Sequence, residues 1–127
     1  MRTHIVMAAA IALTATTSFA ADRTEEFRRA IRASSLVFCD REVVVRGPLS
    51  IRAAEEEGLR AVRGCEHCPQ VPFGYVSRQW QEFKRHIRPG DALVFFHCET
   101  KGQWGLLEGY AIIRNGKVWR TLIGAIS

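Results

Sequence analysis

The sequence has no block of like charges, no internal repeat, no low-complexity tract and little lysine. Only 3 of its 18 basic residues are lysines, and the 15 arginines are scattered along the whole chain. Scattered charge is typical of a solvated surface, so the net charge of +5 does not predict a nucleic-acid-binding protein. The partner classes left open are another protein or an anionic component of the cell envelope.

The chain also lacks an apolar run long enough to cross a membrane. The apolar stretch Ile5–Ala15 is shorter than the roughly 20 residues that a spanning helix needs. A basic residue, Arg2, precedes this stretch, and the small-residue exit Ser18-Phe19-Ala20 follows it. These three parts are typical of a secretory signal peptide. We therefore expect a signal peptide over residues 1–21 and a protein that is periplasmic or secreted, with no membrane span after cleavage.

Residues 22–127 then form one small domain of about 106 residues, which buries only a modest core. All four cysteines lie in this part, and an even number of cysteines in an exported chain favours disulfide bonds. Four cysteines allow three connectivities, and the sequence does not choose among them. Our preferred pairing joins Cys39 to Cys98, because both end strand-like runs, and Cys65 to Cys68.

Hydrophobic periodicity predicts three helices. The first runs from about Arg23 to Ala33 with Asp22 as its cap, and the second follows the cap residue Ser50 and ends at Gly64. In the second helix we expect the acidic residues Glu55–Glu57 to face water. The third carries an apolar stripe from Val76 to Ile87.

Four or five strands are predicted beside these helices. Two runs rich in apolar or β-branched residues predict strands, and a third segment predicts a hairpin around Asn115-Gly116, since Asn-Gly favours the type I′ turn. The segments are Leu36–Arg46, with a turn at Asp40-Arg41, then Asp91–Cys98 and Gly109–Ile123. The predicted fold class is α+β, with a small, largely antiparallel C-terminal sheet held by disulfides.

The motif Cys65-Glu66-His67-Cys68 leaves three chemical hypotheses open. A thiol-redox site would use the CxxC pair, although Pro72 and Gly74 prevent a long helix from starting at the motif. A zinc site would combine Cys65, Cys68, Cys98 and His67, which are suitable tetrahedral ligands. Because export favours disulfides over thiolate ligation, we expect a structural bridge and no cofactor.

Two segments, Arg88–His97 and Glu108–Trp119, resemble the C-terminal part of the NlpC/P60 cell-wall peptidases. Aligning the turn Asn115-Gly116-Lys117 with that family places Glu108 at the position of the catalytic histidine. The Asp-Cys-Ser context of the family's nucleophile is absent from the sequence. A cysteine nucleophile needs a nearby general base, so we expect no peptidase activity and assign no catalytic residue.

Residues 76–123 are similar to a set of small bacterial proteins of unknown function. The shared elements are a tryptophan-bearing helix, a Gly-Asp pair before an apolar strand, a second tryptophan, a Gly-Tyr pair and an Arg-Asn-Gly hairpin. In this sequence they are Trp80, Gly90-Asp91, Leu93–Phe96, Trp104, Gly109-Tyr110 and Arg114–Lys117. The resemblance implies that the C-terminal half is a recurring unit, but it implies no activity.

The loop before the hairpin offers a candidate binding surface, because Trp104 lies there among glycines and polar residues. An aromatic side chain beside polar groups is a common anchor in interfaces. The expected binding residues are Lys101, Gln103, Trp104 and Glu108. Together these observations predict an exported, non-enzymatic binding domain, with a thiol-redox or zinc-dependent protein as the alternative.

Overall fold

The computed structural model describes residues 15–100 and 105–126, with side chains at residues 23–40, 42–100 and 105–124. Three helices and four strands follow one another, with a short 3₁₀ turn at Gly74–Val76 before the third helix. Their bounds are α1 Ala15–Ala33, β1 Cys39–Arg46, α2 Ile51–Val62, α3 Ser77–Lys84, β2 Ala92–Thr100, β3 Leu106–Arg114 and β4 Lys117–Ile126. The predicted α+β class is confirmed.

The four strands form one sheet in the order β1-β2-β3-β4, and all three pairs are antiparallel. The β3–β4 turn is the predicted one, since Asn115 and Gly116 both have positive φ angles, of 53° and 75°. Two positive φ angles in succession define the type I′ turn, whose twist matches that of the flanking strands.

Helix α1 starts earlier than expected. It begins at Ala15 rather than near Arg23, so Asp22 lies within the helix and is not its cap. Alanine has the highest helix propensity of all residues, and alanines at 15, 20 and 21 allow the helix to extend through this segment. The helix does end at Ala33, as predicted.

The N-terminal strand also differs from the prediction. β1 begins at Cys39, and in place of a turn at Asp40-Arg41 it contains a bulge. Cys39 pairs with Thr100 and Val43 pairs with Cys98, so three residues of β1 oppose the single residue Glu99 of β2. Beyond the bulge, Arg28 of α1 donates its Nε hydrogen to the Val43 carbonyl oxygen at 3.0 Å.

Helices pack on both faces of the sheet. On one face α1 buries Phe27, Ala30 and Ile31 against one set of alternating strand residues, which are Val43, Val45, Ala92, Val94, Phe96, Cys98, Leu107, Ala111 and Ile113. On the opposite face α2 and α3 bury Ala54, Trp80 and Phe83 against the other set, Leu93, Tyr110, Ile112 and Leu122. Trp80, fully buried, is the largest side chain of this second core.

Helix α2 has the predicted start but a different end. The Ser50 hydroxyl accepts a hydrogen bond from the Ala53 N–H at 3.0 Å, which satisfies one of the free donors of the first turn. Gly64 does not take the left-handed conformation, and the helix ends at Val62 with Arg63 in the right-handed region. Among the described residues, no helix has the length and apolar character that crossing a bilayer requires.

Candidate functional site

The second face of the sheet is only partly covered by helices. Its side chains form rows across the strands, and the row Arg46, Phe95, Tyr110 and Leu122 lies at the margin of α2. The next row is Val44, His97 and Glu108, and the last described one is Glu99 and Leu106. Val44 and Leu106 are 55% and 40% exposed, so these two outer rows lie open.

A groove of about 300 Å³ lies where α2 and the Gly74–Val76 turn meet the sheet. We call it the aromatic groove. Its lining is mainly apolar, with two carboxylates, Glu57 and Glu108, and it includes the strand glycines Gly109 and Gly124. The lining residues are Glu57, Gly58, Ala61, Val62, Phe73, Val76, Phe95, Glu108, Gly109, Tyr110 and Gly124.

Phe73 forms one wall of the aromatic groove. Its φ of 67° places it in the left-handed region, and its N–H donates to the Gly58 carbonyl oxygen at 3.2 Å. The ring centroid lies 4.7 Å from that of Trp80 and 5.4 Å from that of Tyr110. A Cβ at position 58 would come within 2.8 Å of the Phe73 ring, so the glycine allows the ring to pack onto α2.

Tyr110 forms the base of the groove and is held by a charged pair. Its hydroxyl donates to Glu57 Oε2 at 2.7 Å, and Arg46 Nη1 and Nη2 donate to the two oxygens of that carboxylate at 2.5 and 3.1 Å. The guanidinium of Arg46 also lies 4.5 Å from the Phe95 ring centroid. These contacts hold the rings of Tyr110 and Phe95 in place without a ligand.

The same contacts determine the protonation of the three groups. The hydrogen bond from Arg46, helped by that from Tyr110, lowers the pKa of Glu57 below its ordinary value. The hydrogen bond to Glu57 raises the pKa of Arg46. Burial, together with the bond to Glu57, raises the pKa of Tyr110 far above its ordinary value. At neutral pH Glu57 is therefore a carboxylate, Arg46 a guanidinium and Tyr110 a neutral phenol.

The prediction that Glu55–Glu57 face water is wrong for two of the three residues. Glu55 Oε2 accepts hydrogen bonds from Trp80 Nε1 and from Lys84 Nζ, both at 2.8 Å, and so joins α2 to α3. The bonds from Lys84 and Trp80 lower the pKa of Glu55. Only Glu56 is exposed. A run of three acidic residues looks like a solvated helix face unless the partners of its side chains are known.

The open rows beside the groove are acidic. His97 and Glu108 are neighbours across β2 and β3, with 3.6 Å between His97 Nδ1 and Glu108 Oε2. A cavity of about 350 Å³ continues from this pair over the outer rows and is lined by Glu42, Val44, His97, Cys98, Glu99 and Leu106. Glu108 lines the aromatic groove and its partner His97 lines this cavity, so the two depressions are neighbours on the sheet.

The cysteines form two disulfides, Cys39–Cys98 and Cys65–Cys68, which is the preferred pairing from the sequence. The structure does not bring together the candidate zinc ligands Cys65, Cys68, Cys98 and His67, because Cys98 is bonded to Cys39 within the core under α1. Within the described residues, no group of three or more metal-ligating side chains comes together.

The Cys65–Cys68 loop follows the C-terminal end of α2. The Cys65 N–H donates to the Val62 carbonyl oxygen at 3.0 Å, so the motif lies at the negative end of the helix dipole. Such a position disfavours a thiolate, whereas redox cysteines lie at helix N-termini. Gln70 Nε2 lies within 3.1–3.3 Å of three carbonyl oxygens, those of Val62, Cys65 and Cys68, and holds the loop closed.

Glu108 is the one predicted binding residue whose position is described, and it lies in the groove. Lys101, Gln103 and Trp104 lie outside the described residues. Sequence reasoning missed Glu57, Phe73 and Tyr110. Two signals bear on Phe73 alone: Gly58 in the middle of a helix indicates a close approach by another group, and Phe73 precedes a glycine in a loop.

No family model matches this sequence, and comparisons with curated proteins and with solved structures find no significant match. The resemblance to small bacterial proteins of unknown function therefore stays a prediction.

Proposed function

We propose that this protein is an exported, non-enzymatic binding domain that holds its ligand in the aromatic groove. The observation that carries the proposal is a preformed open groove. The aromatic rings that line it are those of Phe73, Phe95 and Tyr110. The Phe95 ring contacts Arg46, and the Tyr110 hydroxyl is bonded to Glu57. Binding sites are typically concave, mainly apolar and formed in advance, with few polar groups to orient the ligand.

Export is the proposed location, in the periplasm or outside the cell. Two observations support it: the signal-peptide pattern over residues 1–21, and the two disulfides, which persist in oxidising compartments. The proposed partner is a protein or an anionic envelope component, with no nucleic acid and no cofactor.

Filling the groove tests the proposal. Gly124 is exposed and lines the groove, and a Cβ there would meet nothing closer than the Glu108 carbonyl oxygen at 3.9 Å. Gly124→Phe should therefore fill the groove while the domain stays folded. Gly64→Phe is the matched control, since Gly64 is exposed and has no atom within 4 Å of its added Cβ.

The assay is capture of a ligand from an envelope extract of the source organism by the immobilised protein, read by mass spectrometry. We expect the wild type and Gly64→Phe to retain the same ligand and Gly124→Phe to lose it. Retention by Gly124→Phe, with unchanged circular dichroism in all three proteins, would contradict binding in the groove.

A thiol-redox function is the competing proposal, because the Cys65–Cys68 disulfide lies on a half-exposed loop beside the exposed His67. It predicts that Cys65→Ser with Cys68→Ser abolishes activity while the fold persists. The groove proposal predicts that this variant still captures the ligand. Faster reduction of insulin disulfides by the wild type than by the variant would favour the redox function.

A further inference from the structure

The charge on the open rows beside the groove indicates what kind of ligand fits there. The chain as a whole has a net charge of +5, but the described side chains of this surface include two exposed or half-exposed carboxylates, Glu99 and Glu108. Within the described residues, neither has a lysine or arginine nitrogen within 4.0 Å, and the imidazole of His97 lies 3.6 Å from Glu108. Among the described residues, these two carboxylates are therefore available to pair with a basic group of a ligand.

Each of these carboxylates has an apolar side chain in its own row across the strands. Glu108 shares its row with Val44, and Glu99 is paired across the strands with Leu106. Val44 and Leu106 are both exposed large apolar residues, at 55% and 40%. Rows on one face of a strand are spaced by roughly 6–7 Å, two residues apart, so each of the two rows holds one carboxylate and one apolar side chain, with His97 between Val44 and Glu108.

From this pattern we propose that the ligand is an extended segment of a partner protein that carries both basic and apolar side chains on one face, at every second residue. Arginine or lysine side chains of the segment pair with Glu99 and Glu108, and its apolar side chains cover Val44 and Leu106 before entering the aromatic groove. This inference rests on the proposed function, since it specifies the ligand of the same surface. Charge complementarity of this kind determines partner choice and association rate more than total affinity.

Glu42 is not one of the carboxylates that we expect to select the ligand. It lines the acidic cavity, but it also borders a depression on the other side of β1 that contains Arg28 and Arg32. Arg46 is likewise already engaged, because both of its terminal nitrogens bond Glu57. The specificity of the surface therefore depends on Glu99 and Glu108.

A polyamine is the rival ligand with the same charge. It would pair with the carboxylates but leave Val44 and Leu106 exposed to water, whereas burying apolar area is the main source of affinity in most protein association. A second copy of this chain is the other rival, and the oligomeric state in solution distinguishes it.

The experiment uses fluorescence anisotropy with three short labelled peptides of the repeat leucine-serine-X-serine, in which X is arginine, glutamine or glutamate, so that leucine and X share one face of the extended chain. The proteins are the wild type, the double variant Glu99→Gln with Glu108→Gln, and Gly124→Phe. We expect the arginine peptide to bind the wild type at least tenfold more tightly than the glutamate peptide, and to bind more weakly as salt rises. The double variant should lose about tenfold for the arginine peptide and little for the glutamine peptide.

Other results overturn the inference. Equal binding of the arginine and glutamate peptides, or no binding of the arginine peptide, would exclude a basic segment as the ligand. Competition by spermine as strong as by the unlabelled arginine peptide would favour a small amine. A dimer in light scattering that the double variant converts to monomer would favour a second copy.

Failure of the inference is separable from failure of the proposed function. If peptide charge has no effect but Gly124→Phe still loses the captured ligand, the groove remains the binding site and only the charge argument is wrong. If Gly124→Phe keeps the captured ligand, the groove proposal itself fails.

Discussion

The hydroxyl of Tyr110 donates a 2.7 Å hydrogen bond to Glu57, 53 positions away in the sequence, and thereby ties β3 to α2. The carboxylate is at the same time the partner of Arg46 at the end of β1. Three elements thus meet at one carboxylate, directly beside the aromatic groove. Any change to this group acts on the stability of the domain and on the shape of the groove together.

Tyr110→Phe should lower the free energy of unfolding by about 1–2 kcal/mol, because hydrogen bonds to charged groups contribute more than neutral ones. Tyr75→Phe is the matched control: its ring is 70% exposed and its hydroxyl donates to the His67 carbonyl oxygen in a loop. We expect less than half the effect there. Urea denaturation of both variants measures the difference, and equal losses would show that the Glu57 bond has no special weight.

Acid should destabilise the protein. The pKa values of Glu55, Glu57 and Asp91 are lowered in the folded state, for Asp91 chiefly by the hydrogen bond from Arg114. The unfolded chain then binds more protons, so this stabilisation is complete above the unfolded values near 4 and is lost as the pH falls through the lower folded values.

Urea titrations between pH 6 and pH 3 test the acid dependence. The free energy of unfolding should change little down to about pH 5 and then fall. The Glu57→Gln variant should have a lower free energy of unfolding than the wild type at pH 6. Its free energy of unfolding should also fall by less between pH 5 and pH 3. A wild-type stability that rises on acidification would show that the sign is wrong.

The two disulfides should contribute unequally. Cys39 and Cys98 are 59 positions apart and Cys65 and Cys68 only 3, and loop-closure entropy gives about 4 kcal/mol for the first bridge and about 2 kcal/mol for the second. The paired alanine variants, Cys39→Ala with Cys98→Ala and Cys65→Ala with Cys68→Ala, allow each bridge to be removed alone. Denaturant midpoints and slopes give the two losses. A larger loss for the Cys65–Cys68 variant would contradict the loop-closure account.

Removal of residues 1–21 should leave the domain intact. The described buried residues of α1, Phe27, Ala30 and Ile31, all follow Asp22, which would then stand in the first turn of the shortened helix. A carboxylate there favours the helix dipole. We expect the free energy of unfolding of residues 22–127 to match that of the whole chain within about 0.5 kcal/mol, the usual limit for changes outside the core. A loss of several kcal/mol would move the domain boundary into this segment.

Local signals in the sequence predicted the parts of the fold that local chemistry determines. Ser50 marks the start of α2 because its hydroxyl satisfies a backbone donor three residues later. Asn115-Gly116 marks the hairpin because both residues tolerate a positive φ. The α+β class followed from the order of these elements, whereas the preferred cysteine pairing was one of three that the sequence left open.

The site could not be predicted in the same way, because it depends on which strands lie side by side and in which register. Nothing near Glu57 in the sequence indicates Tyr110, and the role of Gly58 emerges only once Phe73 packs on it. The bulge in β1 likewise depends on the pairing with β2, since it is defined by three residues opposing one. Long-range register was the missing information in each case.

The hydrogen bond from Arg28 to the Val43 carbonyl oxygen opposes edge-to-edge association of molecules of this protein through β1. β1 is an outer strand of the sheet, and an outer strand with unpaired backbone groups is a template on which another chain can polymerise into fibres. Arg28 occupies an acceptor of that template, and the bulge at its N-terminal end interrupts the rest. The protein can therefore present an open sheet face to a ligand while its β1 edge resists self-assembly.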